Sequence, residues 1–354
     1  MKTQKIKKLM SLFLAVLMCV TTFAGFGTTA HAAEETENVY LVSFPRSGDE
    51  NYGAEWGHGS HSFMNGWSSG TSRYTTVRAM GSYSGNICYC IEPGVPQKTG
   101  DRYTKKGENF WDNYPSSYNK TISPDDIKLF IGRIFQYGYT GTISTDWRSQ
   151  NEGGDKLAHA VATQLLIWET VVGERDENFN KVGTGGKAAI LDQISQSHPL
   201  RTKIMSHYNS IAASVQNHTK LPSFMAKSAG KAQNIELAWD GGKYTATLTD
   251  KNNVLSNFSF SASDSGIRFS ISGNKLTITA DKAPVNAVTI TAEKKNSQRR
   301  GVITWTDNIY GPDGGIQDTV TYAQSVSDPV KGYVNIKVSY GAAKIVKTSE
   351  DDIV

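Results

Sequence analysis

The sequence predicts an α+β domain, a β-sheet with a helical subdomain, followed by an all-β sandwich. Three observations carry this expectation. Residues 40–44 and 87–91 read as short strands, the second alternating residue by residue. Residues 123–218 hold apolar positions three and four apart, the period of helices packed on one face. From Ile235 onward, short strands such as YTATLT, KLTITA and YVNIKVSY recur between Gly, Asn and Asp turns, at the spacing of about 8–12 residues typical of a sandwich.

The 354-residue chain has length for two domains or three. Residues 1–32 read as a secretory signal: Lys2, Lys5, Lys7 and Lys8, an apolar run from Leu9 to Val20, and a small-x-small site at Ala30-His31-Ala32. This segment holds four of the 37 basic residues and none of the 33 acidic ones, so the mature chain is balanced at 33 of each sign. Such a surface has no general attraction for nucleic acid. No later apolar run approaches the roughly 20 residues of a membrane span. The mature chain reads as secreted, neutral and rich in Gly, Ser, Thr and Tyr.

Taken in order, the first strand is Tyr40–Phe44. A loop rich in Gly, Ser and His comes next; His58 and His61 lack Cys, Asp or Glu at zinc-like spacing, so they read as solvated histidines, and no metal or cofactor is expected. In GSYSGNICYCIEPG (81–94), the alternation puts Cys88, Cys90 and Glu92 on one strand face, and Pro93-Gly94 ends the strand. Cysteines this close in an extended segment pair poorly with each other, so both sulfurs are expected buried or chemically occupied. Ser123, Pro124, Asp125 and Asp126 open a helix that Gly138 ends, with Ile127, Phe130, Ile131, Ile134 and Phe135 on its apolar face.

The central helix is Asp155–Gly173, with Asp155 as N-cap and Gly173 as stop. It is apolar almost all round, and Gln164 falls on the stripe of Leu157, Val161 and Trp168, where an amide must find partners or carry a desolvation cost. A helical pair, Lys187–Ser197 and Thr202–His218, is broken at Pro199. The boundaries expected are 1–32 for the signal, 33–228 for the α+β domain, 229–342 for the sandwich, read as a spacer without a catalytic constellation, and 343–354 for the opening strand of a third module.

Cys90 on a strand and Gln164 on a helix together carry a resemblance. Tyr89-Cys90-Ile91-Glu92-Pro93-Gly94 and Thr163-Gln164-Leu165-Leu166-Ile167-Trp168 resemble the Cys-Gln thioester (TQXA-type) domain of Gram-positive surface adhesins, over roughly residues 38–225. The resemblance implies that the Cys90 sulfur attacks the Gln164 side-chain carbonyl, ammonia leaves, and an internal thioester remains. A target lysine would then attack that carbonyl and free Cys90, leaving an isopeptide bond to a host or surface ligand. This happens once per molecule, so no turnover enzyme is implied. Thiolate nucleophilicity and exclusion of water by Ile167, Trp168 and the Tyr-rich loops suit such chemistry. Tyr89 belongs to the motif, and Thr163 and Glu92 are candidates for orienting the amide or moving a proton, or are plain structural hydrogen bonders. Cys88 competes with Cys90 as the sulfur, and the motif match favours Cys90. Lys344-Ile345-Val346-Lys347 followed by Glu350-Asp351 is similar to the first strand of a collagen-adhesin B-type repeat, in which Lys344 would form the internal isopeptide bond; wall anchoring would lie beyond Val354.

Two other readings compete. A secreted Cys-His peptidase or transglutaminase would use Cys90 with His159 as base, although five positions separate His159 from Gln164 on the helix. A non-covalent binding head would use loop tryptophans Trp56, Trp67, Trp111 and Trp147.

Overall fold

The computed structural model describes residues 34–44 and 75–338, apart from 94, 96, 115–118, 120, 145–146, 148–151, 185–188, 195, 197, 199 and 308–315. The signal segment 1–32, Trp56, His58, His61, Trp67 and residues 343–354 with Lys344 lie outside the described residues.

Four strands come first: β1 (Thr36–Phe44), β2 (Thr75–Met80), β3 (Asn86–Cys90) and β4 (Asp101–Lys106). Among the described residues three helices come after them: α1 (Pro124–Tyr137), α2 (Glu152–Val171) and α3 (Arg201–His218). Then come β5 (Asn234–Glu236), β6 (Ala238–Trp239), β7 (Tyr244–Thr249), β8 (Phe258–Ala262), β9 (Ile267–Ser272), β10 (Lys275–Ala280) and β11 (Val288–Lys294). The last three are β12 (Gln298–Thr306), β13 (Thr319–Ser327) and β14 (Lys331–Lys337).

The fold is an α+β unit followed by a two-sheet β region, as the sequence predicts, but the chain is divided differently. Strands β1, β2, β3, β13, β12 and β4 close into a barrel in that order. Residues 229–342 are therefore not one sandwich: β12 pairs with β4, and β13 with β3. Alternation marks a strand with two unlike faces but does not say which sheet it joins, so the sequence could not separate these two strands from their neighbours. The sandwich keeps two four-stranded sheets, β6-β7-β10-β9 and β5-β14-β11-β8, with β5 and β14 parallel.

The helices follow their local chemistry with two exceptions. At α1 the Ser123 hydroxyl accepts the Asp126 N–H at 3.2 Å, Pro124 needs no partner for a missing N–H, and Gly138 N–H bonds Ile134 O. Helix α2 starts at Glu152, three residues before the expected cap; Asp155 is inside it, with its carboxylate 2.9 Å from His207 Nε2. Gly173 does stop this helix, at a left-handed φ of 82° that glycine adopts without steric cost. Of the expected helix Lys187–Ser197, the described residues hold a 3-10 turn, Ile190–Gln193, flanked by extended Ala189 and Ile194. So short a segment closes too few hydrogen bonds to offset the cost of nucleating an α-helix. In α3, Ile204, Tyr208, Ile211 and Val215 are buried as the stripe predicts.

One core joins the barrel to the helices: Val42, Phe44, Ile87 and Tyr89 pack with Ile131, Ile134, Leu157, Val161 and Leu165. A second core, with Leu276, Ile278, Ile290 and Ile336, belongs to the sandwich. Among the described residues no helix is long and apolar enough to cross a membrane.

Candidate functional site

The last residue of β3 and the middle of α2 meet in the larger core. Leu157, Val161, Leu165 and Ile167 are at most 1 % exposed, so the helix that carries Gln164 is enclosed and the amide is 7 % exposed. It is paired twice with one residue. Gln164 Oε1 accepts the backbone N–H of Cys90 at 2.9 Å, and Gln164 Nε2 donates to the backbone carbonyl of Cys90 at 2.8 Å. The partners dictate the orientation of the amide, since an N–H needs an oxygen and a carbonyl needs the NH₂. An unpaired buried amide costs about 2–7 kcal/mol, so the two bonds hold the side chain in one pose. The amide thus finds the partners its buried position demands, and they are the backbone groups of Cys90. The same N–H that holds the carbonyl oxygen stands at the distance of an oxyanion-hole donor.

Cys90 and Cys88 are both buried free thiols. Burial pushes the Cys90 thiol up to about 12, and the Glu92 charge adds to this. The Arg78 guanidinium, the Trp168 indole and the Glu92 N–H, which donates to Cys90 Sγ at 3.2 Å, pull the other way. The Trp168 N–H makes no hydrogen bond of normal geometry, so its effect on the sulfur is that of a nearby dipole. At neutral pH the thiol keeps its proton and needs an acceptor to become a nucleophile. Cys88 is pushed to about 12 as well, but it packs in a separate cluster with Val39, Tyr103 and Trp305, and the Gln164 amide bonds the backbone of Cys90.

The other motif residues support the pair from several sides. Tyr89 donates its hydroxyl to Tyr139 O at 2.6 Å and packs on Phe135. Thr163 donates to His159 O at 2.8 Å and accepts Tyr139 N–H at 2.9 Å. Its hydroxyl is thus committed to backbone, tying α2 to the loop after α1. Ile167 is fully buried and Trp168 is 6 % exposed, which keeps bulk water away. Glu92 is 1 % exposed, and its Oε2 accepts the Asp318 N–H at 2.8 Å.

Sequence reading missed Gln317 and Asp318. Gln317 Nε2 donates to Glu92 O at 2.9 Å and to Val95 O at 3.1 Å, while Tyr103 donates its hydroxyl to Gln317 O at 2.8 Å. Burial, then the Glu92 charge, pushes the Asp318 carboxyl up to about 9, against the nearby Thr306 hydroxyl. These residues lie more than 220 positions from Glu92. An acid at the mouth of the apolar TVTYA strand was the only local hint.

A small void of about 10 Å³ lies beside Gln164 between β2, β3 and α2, and Arg78, Cys88, Tyr89 and Val161 are among the residues that line it. His159 does not serve Cys90: its ring stacks on His207 at 4.4 Å, with Nε2 3.3 Å from Tyr137 O. Trp111 and Trp147 are core residues, 2 % and 0 % exposed, so neither is a loop surface for ligand.

Residues 87–217, which include Cys90 and Gln164, match the family model described as TED, thioester domain. The matched stretch omits β1, β2, β12 and β13, which the barrel adds to it. Among solved structures, the chain is similar to the thioester domain of the Staphylococcus aureus TIE protein, at 19 % identity and a TM-score of 0.39, covering 86 % of this chain and 99 % of that one. It is also similar to the Bacillus anthracis TIE protein, at 13 % identity and a TM-score of 0.35, covering 86 % of this chain and 49 % of that one. No curated protein matches the chain.

Proposed function

We propose that the protein is the head of a secreted surface adhesin whose Cys90 and Gln164 form an internal thioester that captures a target amine covalently. The observation that carries this reading is the reciprocal pairing of the Gln164 amide with the backbone of Cys90. That pairing holds the carbonyl beside the sulfur-bearing residue and gives its oxygen a donor as negative charge develops. Cys90 Sγ attacks Gln164 Cδ, the C–N bond breaks, and the amide nitrogen leaves as ammonia with the thiol proton. An amine, most simply a lysine side chain of a host or surface protein, then enters unprotonated and attacks the same carbon. A new amide forms and Cys90 is released as a thiol. The buried setting of Ile167 and Trp168 supports a thioester that outlasts hydrolysis. Each molecule reacts once, as an attachment device and not as an enzyme.

Within this reading Cys90 is the sulfur and Cys88 a packing residue. Residues 1–32 serve as the export signal, the β-sandwich acts as a spacer, and residues 343–354 open a B-type repeat in which Lys344 forms its own isopeptide bond. A fluorescent primary amine tests the reading: the wild-type protein is expected to take up one label that survives boiling in detergent, mapped to Gln164. Cys90→Ala is expected to take up none. Label on the wild type at another residue, or equal labelling of Cys90→Ala, would overturn it.

A further inference from the structure

Across the β3–β13 pairing from Cys90, four side-chain oxygens on three consecutive residues are buried without a hydrogen bond of normal geometry among the described residues: Gln317 Oε1, both Asp318 carboxyl oxygens and Thr319 Oγ1. Buried polar atoms are seldom left this way, and a cluster of them asks for a reason other than packing. The strand register sets the cluster against the reacting residue. Thr319 pairs with Cys90 across β13 and β3, Ile91 N–H bonds Asp318 O at 3.1 Å, and Asp318 N–H bonds Glu92 Oε2 at 2.8 Å. Glu92 in turn gives its own N–H to Cys90 Sγ. The two carboxyl groups are each 1 % exposed, and the Glu92 charge acts on both the Asp318 carboxyl and the Cys90 thiol, which must lose its proton.

We propose that Glu92 and Asp318 form a buried carboxyl pair holding a single proton, in which neutral Asp318 leaves Glu92 as the one carboxylate able to take the Cys90 thiol proton. This rests on the thioester reading above and assigns the proton path that reading needs. When the thioester forms, the Cys90 S–H proton passes to the Glu92 carboxylate while Sγ bonds to Gln164 Cδ. The same proton then passes to the amide nitrogen, the C–N bond breaks, and ammonia leaves. The pair ends as it began, with one proton on Asp318. Capture of an amine is the same path reversed, the proton of the amine finishing on Cys90 Sγ. Two adjacent carboxylates in a buried site do not both ionise, which is why one member keeps its proton.

Asp318 is a positioning residue in this scheme, because it acts through Glu92. The charged groups around it are Glu92 after β3, Asp307 after β12 and Lys106 at the end of β4, with the Thr306 hydroxyl beside them. Asp307 and Glu92 favour the neutral acid; Lys106 and Thr306 oppose it. Once Asp318 ionises, near pH 9, a second negative charge opposes departure of the Cys90 thiolate.

The test uses the full chain and methylamine, with loss of the thioester tracked by intact mass from neutral pH to beyond the Asp318 value. Counted per unprotonated amine, the wild-type rate is expected to fall as pH rises through about 9. Asp318→Asn, which cannot ionise, is expected to lose that fall. Glu92→Gln is expected to react about 100-fold more slowly at neutral pH, the lower end of general acid–base contributions. A flat wild-type profile, an Asp318→Asn profile that still falls, or an unslowed Glu92→Gln would overturn the proposal. If Asp318→Asn does not fold, the wild-type profile alone decides. A wild type that carries no thioester fails the underlying reading as well, whereas a thioester with a flat profile fails only this one.

Discussion

Asp250 and Asp318 are both buried, at 0 % and 1 % exposure, yet they carry opposite charge states at neutral pH, one ionised and one neutral. Asp250 belongs to the sandwich. Burial pushes its carboxyl up, but backbone N–H groups of Ser223, Val254 and Asn252 outweigh that and hold it below the usual range. Around it the core is aliphatic, with Leu276, Ile278, Ile290, Val334 and Ile336 fully buried. Asp318 belongs to the barrel, where among the described residues no backbone donor meets its carboxyl and the Glu92 charge acts on it, so its carboxyl is pushed up to about 9. Burial alone therefore does not decide the charge of a carboxyl; the supply of donors does. The sandwich satisfies this carboxylate with backbone donors. The barrel leaves its polar groups unsatisfied beside Cys90, as a reacting site can.

Substitutions should separate the two regions. The largest effect is expected in the barrel: Gln164→Leu removes the electrophilic carbonyl, so amine capture should fall to background while the fold persists, as checked by circular dichroism and amine labelling. Capture by this variant would place the reactive carbonyl elsewhere. Next is the seam between barrel and helices, where Asp328 accepts Arg133 Nε at 2.7 Å and lies 2.9 Å from His218 Nε2. Asp328→Asn leaves Arg133 without its buried counter-charge and should cost about 3–5 kcal/mol in urea unfolding. Burial raises the Asp328 carboxyl, but the His218 and Arg133 contacts outweigh that and depress it far below the ordinary range. Its contribution is thus present above the unfolded value and lost as pH falls through the folded one.

In the sandwich, Ile290→Ala should cost about 2–5 kcal/mol of stability and leave the fraction of molecules with a thioester unchanged. A loss of thioester in this variant would mean that the two cores are coupled. Asp318 gives the pH arm of the comparison. Its folded value lies above the unfolded one, so the unfolded chain releases this proton first. Stability should decline as pH rises from about 4 to about 9, and Asp318→Asn should flatten that decline in urea midpoints. The smallest effect is Ser123→Ala, about 1 kcal/mol for a lost N-cap on α1.

Much of this organisation was legible in the sequence because it rests on local chemistry. Ser123-Pro124 and Gly138 bound one helix, Gly173 ended another, and Cys90 and Gln164 announced themselves as a buried thiol and a buried amide on apolar elements. The rest depended on contacts that no local pattern encodes. Gln298–Thr306 and Thr319–Ser327 alternate much as the sandwich strands do, so their place in the barrel rests on pairing with Asp101–Lys106 and Asn86–Cys90 far upstream. Asp318 reaches the site through that pairing and was invisible as a site residue for the same reason. Asp155 looked like a cap because Gly153-Gly154 precedes it, yet tertiary packing and the His207 contact carried the helix through both glycines.

The central claim is a covalent bond between Cys90 and Gln164, and intact mass of the purified protein, before and after methylamine, tests it most directly. The account expects a chain lighter than its sequence by one ammonia. After methylamine it should gain the mass of one methylamine and one titratable thiol, and Cys90→Ala should show neither change. A wild-type chain at full mass, with two thiols free from the start and no response to methylamine, would contradict it.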